Sequence, residues 1–257
     1  MKILVCIKQV PDMESKFKVN SESDWYDSGD LAWRMNEYDE YAVEQAVQLK
    51  EQEADADLTV LCVGPDRVKE TMKKALAMGC DRGAHLQDDE FYKKEPMQIA
   101  AIIAEYARDK NFDVIFTGMQ SQDRGSGQVG VLLAEMLEMP SITTVIDFVF
   151  EGGEIKVKRE LEGGVRAKVK TSIPAVLTCQ LGLNTPRYPT LPNIMKAKKK
   201  ELVTTPASDY LNVESRQRTA SMYFPEKKGG GLVLEGDIAD LTDQLIKILK
   251  EKTGVLA

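Results

Sequence analysis

Along the first half of the chain, short runs of consecutive apolar residues alternate with longer stretches whose apolar positions recur every three or four residues. The runs are Ile3-Leu4-Val5-Cys6-Ile7, Leu58-Thr59-Val60-Leu61-Cys62-Val63 and Val114-Ile115-Phe116-Thr117. Each is too short for a helix and apolar on both sides, as in a strand covered on two faces. Between them, residues 39–51 carry Ala42, Val43, Ala46, Val47 and Leu49 at helical spacing. A second helix, ending near Met78-Gly79, follows Asp66, which stands where an N-cap belongs. Residues 82–86 predict a further strand. Pro96 opens a helix through Ile99, Ile102, Ile103 and Tyr106, and residues 128–139 predict another. Strands alternating with amphipathic helices predict an α/β fold, a doubly wound and mostly parallel sheet. On such sheets ligands sit beyond the carboxyl ends of the strands, where strand order reverses. That selects the loops after Ile7, Val63 and Thr117.

After Pro140 the pattern changes to period two. Residues 142–150, 154–159 and 165–170 alternate, with Gly152-Gly153 and Gly163-Gly164 as turns, and predict antiparallel hairpins followed by a strand at 174–178. Residues 181–200 are first proline-rich and then lysine-rich. Residues 202–235 read as extended, with Gly229-Gly230-Gly231 as a hinge. A last helix carries Ile238, Leu241, Leu245, Ile248 and Leu249 on one face. The expected division is an α/β domain over 1–200, including a docking segment at 179–201, and an extended C-terminal arm and helix over 201–257. Such an arm suits clasping a partner better than a monomer.

Composition narrows the function classes. The 257 residues carry a formal charge of -7, which disfavours a nucleic-acid surface, and no stretch resembles a signal peptide. Nothing approaches the roughly 18 apolar residues of a spanning helix. Cys6, Cys62, Cys80 and Cys179 are scattered with no CxxC pair, which fits a reducing, cytoplasmic compartment and no cysteine-rich metal site. His85 is the only histidine, inside a short apolar stretch, and is expected to be structural. The chain is poor in catalytic equipment.

The strongest local signal is Gly118-Met119-Gln120-Ser121-Gln122-Asp123-Arg124-Gly125-Ser126-Gly127-Gln128. Small residues let the backbone approach a phosphate, and free N–H groups at the following helix favour an anion. Gly125 to Gly130 also matches G-x-G-x-x-G, but late in the fold rather than after the first strand, and a flexible connection remains the plain alternative. Asp39 either caps the first helix or, with Asn36, Glu37 and Tyr38, lines the same pocket. Leu191 to Lys200 joins an apolar opening to a cationic end. It reads as a helix C-terminus complemented by lysines, or as a docking element with Leu191 as anchor.

Four stretches resemble electron-transfer flavoprotein beta subunits: MNEYDEYAVEQAVQLKE, ETMKKALAMGCDRGAHL, EIKVKRELEGG and LGLNTPRYPTLPNIMKAKKK. Their order and spacing fit over essentially the whole chain. The resemblance implies a sheet like that of the adenine-nucleotide alpha hydrolases. It also implies a non-catalytic electron carrier paired with an alpha subunit that holds most of the FAD. Partners would be donor dehydrogenases such as acyl-CoA dehydrogenases, and a membrane quinone oxidoreductase. It implies one structural AMP here, or a second FAD if the protein bifurcates electrons from NADH. Carried over, the nucleotide pocket comprises Cys6, Asn36, Glu37, Tyr38, Asp39, Val63, Gly118, Gln120, Asp123, Gly125, Ser126, Gly127, Gln128 and Val129. Leu191 matches the family's docking leucine, with Pro192, Ile194 and Met195 beside it. Glu160 matches an acidic residue that pairs with the mobile flavin domain. Arg166 departs from the glutamate usual at its position. Asp123-Arg124-Gly125-Ser126-Gly127-Gln128 departs from the Asp-Gly-Asp-Thr-Ala-Gln of bifurcating relatives, which favours AMP.

Overall fold

The apolar runs become neighbouring parallel strands, because a strand apolar on both sides is stable only between strands and under helices on either face. In the computed structural model, which describes residues 1–226 and 229–252, β1 (Lys2–Ile7) lies between β4 (Asp57–Gly64) and β6 (Val114–Gly118), parallel to both. β5 (Arg82–Gln87) extends the sheet beyond β4, and β10 (Ala175–Cys179) beyond β6. Chain order thus runs β1, β4, β5 to one side and returns to β6 on the other. The reversal falls between β1 and β6.

Helices α1 (Glu37–Gln52) and α2 (Val68–Met78) cover one face, where Ile3, Val5 and Ile7 join Ala42, Val43, Ala46 and Met72 in one core. Helices α3 (Pro96–Ala107) and α4 (Val129–Met136) cover the other, over Leu4, Cys6, Ile115 and Val176. Alternate residues of β1 therefore feed two separate cores, as the doubly wound reading requires. The α/β class is as expected.

β7 (Ser141–Glu151) pairs parallel with β10 and antiparallel with β8 (Glu154–Glu160), which pairs antiparallel with β9 (Arg166–Ser172). The hairpin set is thus the far edge of the same sheet. His85 is fully buried, with Nε2 2.8 Å from the Gly64 carbonyl. Two pieces have no signal in the pattern. β2 (Gln9–Pro11) and β3 (Trp33–Met35) form a small antiparallel pair at the base of a long excursion. β11 (Leu202–Pro206), in the stretch read as extended, pairs with β5 as the sheet's other edge.

Two compact units result, Met1–Met222 and Tyr223–Ala257. The first reaches past the expected boundary at 200 because β11 completes the sheet edge. The second contains α6 (Ile238–Lys252), none of whose residues is buried. Residues 253–257, the end of the expected arm, lie outside the described residues. Among those described, no helix is long and apolar enough to cross a membrane.

Candidate functional site

A cleft opens at the carboxyl ends of β1, β4 and β6, at the strand-order reversal where such sheets hold ligands. It encloses about 870 Å³ of empty space, its open mouth included. Cys6, Asn36, Asp39, Val63, Gly118, Gln120, Ser126, Gly127, Gln128 and Val129 line it, ten of the residues expected there. Glu37, Tyr38 and Asp123 bond to residues of the lining or its loop, and Gly125 is exposed in the same loop. Glu37 accepts from Gln122 Nε2 at 2.8 Å, the Tyr38 hydroxyl from Gln120 Nε2 at 3.1 Å, and the Ser121 carbonyl from the Gly125 N–H at 2.8 Å. Of the three loops the strand ends select, those after Ile7 and Thr117 form the walls. The third contributes Val63 alone.

Asp39 does not cap α1. Asn36 takes that position, and its side chain makes no capping bond either. Both turn to the cleft. The Asp39 carboxylate accepts from the N–H of Lys8 at 2.7 Å and of Gly118 at 3.1 Å, bridging the ends of β1 and β6. The Asn36 amide donates to the Gln120 carbonyl at 2.8 Å and accepts from the Gln122 N–H at 3.0 Å. The buried carboxyl group thus satisfies two backbone N–H groups just past the last β1–β6 pair, Cys6 with Thr117. Burial pushes the Asp39 carboxyl up to about 7, against the pull of these hydrogen bonds. Burial likewise raises the Cys6 thiol far above neutrality, which leaves it a neutral wall residue rather than a nucleophile.

Two glycines are fixed by close approach. A Cβ on Gly118 would lie 2.2 Å from Asp39 Oδ1 and 2.8 Å from Tyr38 Cβ. One on Gly130 would lie 2.6 Å from Thr178 Cγ2 and 2.7 Å from Thr117 Oγ1. Gly130 thus lets the first turn of α4 sit directly on β6 and β10, with its N-terminus in the cleft wall. At Gly127, by contrast, a Cβ would meet nothing nearer than the Met119 carbonyl at 3.8 Å, and residues 125–128 are exposed. That backbone is open to a ligand.

Cations that the sequence pattern does not single out stand at the cleft. Lys8 bonds Asp123 at 2.6 Å and Ser121 Oγ at 3.2 Å, and burial lowers its pKa. Lys94 pairs with Asp88 at 2.7 Å. Arg124 donates to the carbonyls of Lys94, at 2.8 Å, and Tyr92. Lys8 directly follows β1, and that position is the available signal. Ile99 and Ile103 of α3 complete an apolar wall. Free N–H groups at the start of α4, hydroxyls and cations at one side, and an apolar slot at the other, suit a ligand with a flat ring and an anionic group. No group of three or more metal-binding side chains occurs among the described residues.

A second set of expected residues lies elsewhere. Leu191, Pro192, Ile194 and Met195 are on the short helix α5 (Leu191–Ala197), all exposed, Leu191 at 78%. The preceding segment is tied to α1: Arg187 forks onto Glu44 at 2.8 and 3.0 Å and Glu51 at 2.6 and 3.0 Å, and Asn184 donates to the Tyr41 carbonyl at 3.0 Å. Lys200 donates to the Leu76 and Cys80 carbonyls at the end of α2, while Lys196, Lys198 and Lys199 are exposed. Glu160, at the end of β8, accepts from Gln180 Nε2 at 3.3 Å, and its strand neighbour is Arg166.

The electron transfer flavoprotein domain family matches residues 25–210. Electron transfer flavoprotein subunit beta of Bacillus subtilis is 36% identical, the alignment covering 100% of both chains. This chain belongs to that family of beta subunits. The Methylophilus methylotrophus subunit is 34% identical over 99% of this chain and 100% of its own, and the human one 35% identical over 98% and 97%. The family match starts at Trp25, in the β2–β3 excursion, and ends at Tyr210, just past β11. It therefore takes in most of the sheet and the segment carrying α5.

Proposed function

We propose that this chain is the nucleotide-holding subunit of a heterodimeric electron carrier, binding one AMP in the β1–β6 cleft and docking an alpha subunit that holds most of the FAD. The observation that carries the reading is the convergence, at the strand reversal, of the α4 N-terminus, the open backbone of 125–128 and an apolar slot between Val63 and Ile103. The adenine would lie in the slot. The phosphate would lie against the α4 N-terminus within reach of Lys8 and the hydroxyls. Bound FAD supplies the redox chemistry. This chain's residues hold the nucleotide, stiffen the sheet end and present docking surfaces. Glu160 and the unburied α6 serve the alpha subunit, and Leu191, Pro192, Ile194 and Met195 serve donor dehydrogenases such as acyl-CoA dehydrogenases. The acceptor would be a quinone oxidoreductase of the membrane. The four cysteines are free and buried, which suits a reducing cytoplasm.

Arg124, which lines the cleft and donates to the Tyr92 and Lys94 carbonyls, stands where the resemblance expects the glycine of bifurcating relatives, and that departure favours AMP over a second FAD. Acid release of nucleotide from the purified heterodimer, followed by chromatography, tests the assignment. One AMP and one FAD per heterodimer support it. Two FAD would replace it with electron bifurcation driven by NADH.

A further inference from the structure

Three stretches that no strand pairing joins meet at one wall of the cleft. Trp25 comes from the β2–β3 excursion, Tyr92 from the turn before α3, and Arg124 from the loop after β6. The Arg124 guanidinium carbon lies 4.7 Å from the Trp25 ring centre. Its nitrogens donate to the carbonyls of Tyr92 and Lys94, and the Trp25 and Tyr92 rings are 5.6 Å apart. Arg124 also lines the cleft, so one side chain borders the ligand space and an indole together. All three residues are half-buried. The base of the excursion is separately pinned, by the β2–β3 pairing and by Arg67, whose guanidinium lies 3.8 Å from the Trp33 ring centre. The Trp25 contact is therefore not needed to form the sheet.

We propose that Trp25 and the turn at Tyr92 hold Arg124 as a latch that retains the nucleotide, so that freeing Arg124 sets the release rate. The inference rests on the cleft being a nucleotide site. Arginine suits the position because its flat fork can stack on the indole and reach two carbonyls at once, which a lysine cannot. Losing a partly desolvated cation–ring contact is expected to change an opening equilibrium by about tenfold.

The test uses the heterodimer loaded with isotope-labelled AMP and diluted into excess unlabelled AMP, with retained label followed over time. Trp25→Leu and Arg124→Lys should each release AMP about tenfold faster. The double variant should be no faster than either, because both break one latch. Trp25→Phe, which keeps a ring over the guanidinium, should stay near the wild-type rate. Urea unfolding of the nucleotide-free variants should weaken by no more than the same tenfold, with an unchanged m-value, whereas a wider loss of structure would exceed that and change the m-value. Release at the wild-type rate from both Trp25→Leu and Arg124→Lys overturns the latch. A wild-type heterodimer that holds no AMP overturns the nucleotide reading itself, and is read in the same experiment before any chase.

Discussion

The cleft loop at 118–128 and the segment at 179–201, proposed to dock a partner, both leave strand ends, yet they are held in different ways. The cleft loop is positioned through its backbone. Asn36 and Asp39 grip amides and a carbonyl, and Gly118 is pressed against them with no room for a methyl group. The segment at 179–201 is positioned chiefly through a long charged side chain, Arg187, whose fork grips Glu44 and Glu51 and whose N–H also donates to Glu44, and the apolar residues of α5 are left exposed. Backbone gripping fixes a surface that any suitable ligand can meet with amides. Side-chain gripping leaves the exposed side chains free to define a partner. Substitutions should therefore act mainly on stability in the first region and mainly on docking at the tip of the second.

The largest effect is expected at Gly118. Gly118→Ala forces a Cβ into Asp39 and should destabilise the heterodimer by on the order of 3 kcal/mol in urea unfolding. A loss below about 0.5 kcal/mol would mean that the grip is slack. Arg187→Ala strands the Glu44 carboxylate, whose side chain is 4% exposed. It should cost about 2 kcal/mol, discounted for the partial exposure of Arg187. Amide exchange should rise in residues 180–190 and stay unchanged in 118–128, and a rise in both would erase the contrast between the regions. Asp39 gives a pH-dependent effect, the smaller one at neutral pH. Its carboxyl is pushed up to about 7 in the fold from an ordinary 3.8, so the folded state holds the proton more tightly. Its contribution is then greatest below about pH 4 and falls as pH rises towards 7, by no more than ~1.4 kcal/mol per unit. The stability difference between wild type and Asp39→Ala should shrink across that window; a difference that grows would reverse the sign. The smallest stability change is expected at Leu191, where Leu191→Ala should change the unfolding free energy by less than about 0.5 kcal/mol. Reduction by the donor dehydrogenase should nevertheless weaken, and unaltered donor kinetics would remove Leu191 from the docking role.

The same contrast explains what is legible in the sequence. β1, β4 and β6 are readable because burial on two faces demands unbroken apolar runs, and their succession along the chain is enough to point to the cleft. Asp39 looks like a helix cap because an acidic residue beside a helix start satisfies a local rule. Its partners, Lys8 and Gly118, are distant in sequence, and only the folded sheet brings them together. Asp66, also read as a cap, instead pairs with Lys69, and α2 begins at Val68 behind an uncapped Arg67. β11 escapes the pattern because an edge strand exposed on one side lacks the apolar run that marks a central one. Its pairing with β5 decides the assignment. Arg187 stands in the most specific family stretch, yet nothing local announces its fork onto α1, 143 residues away in sequence.

The central claim is that the β1–β6 cleft holds a nucleotide through backbone amides. The most direct measurement is amide hydrogen exchange of the heterodimer with and without AMP. Protection should appear over residues 118–131, the loop after β6 and the first turn of α4, with residues 180–200 unchanged. Protection confined to other strand ends, or none on adding saturating AMP, would contradict the account.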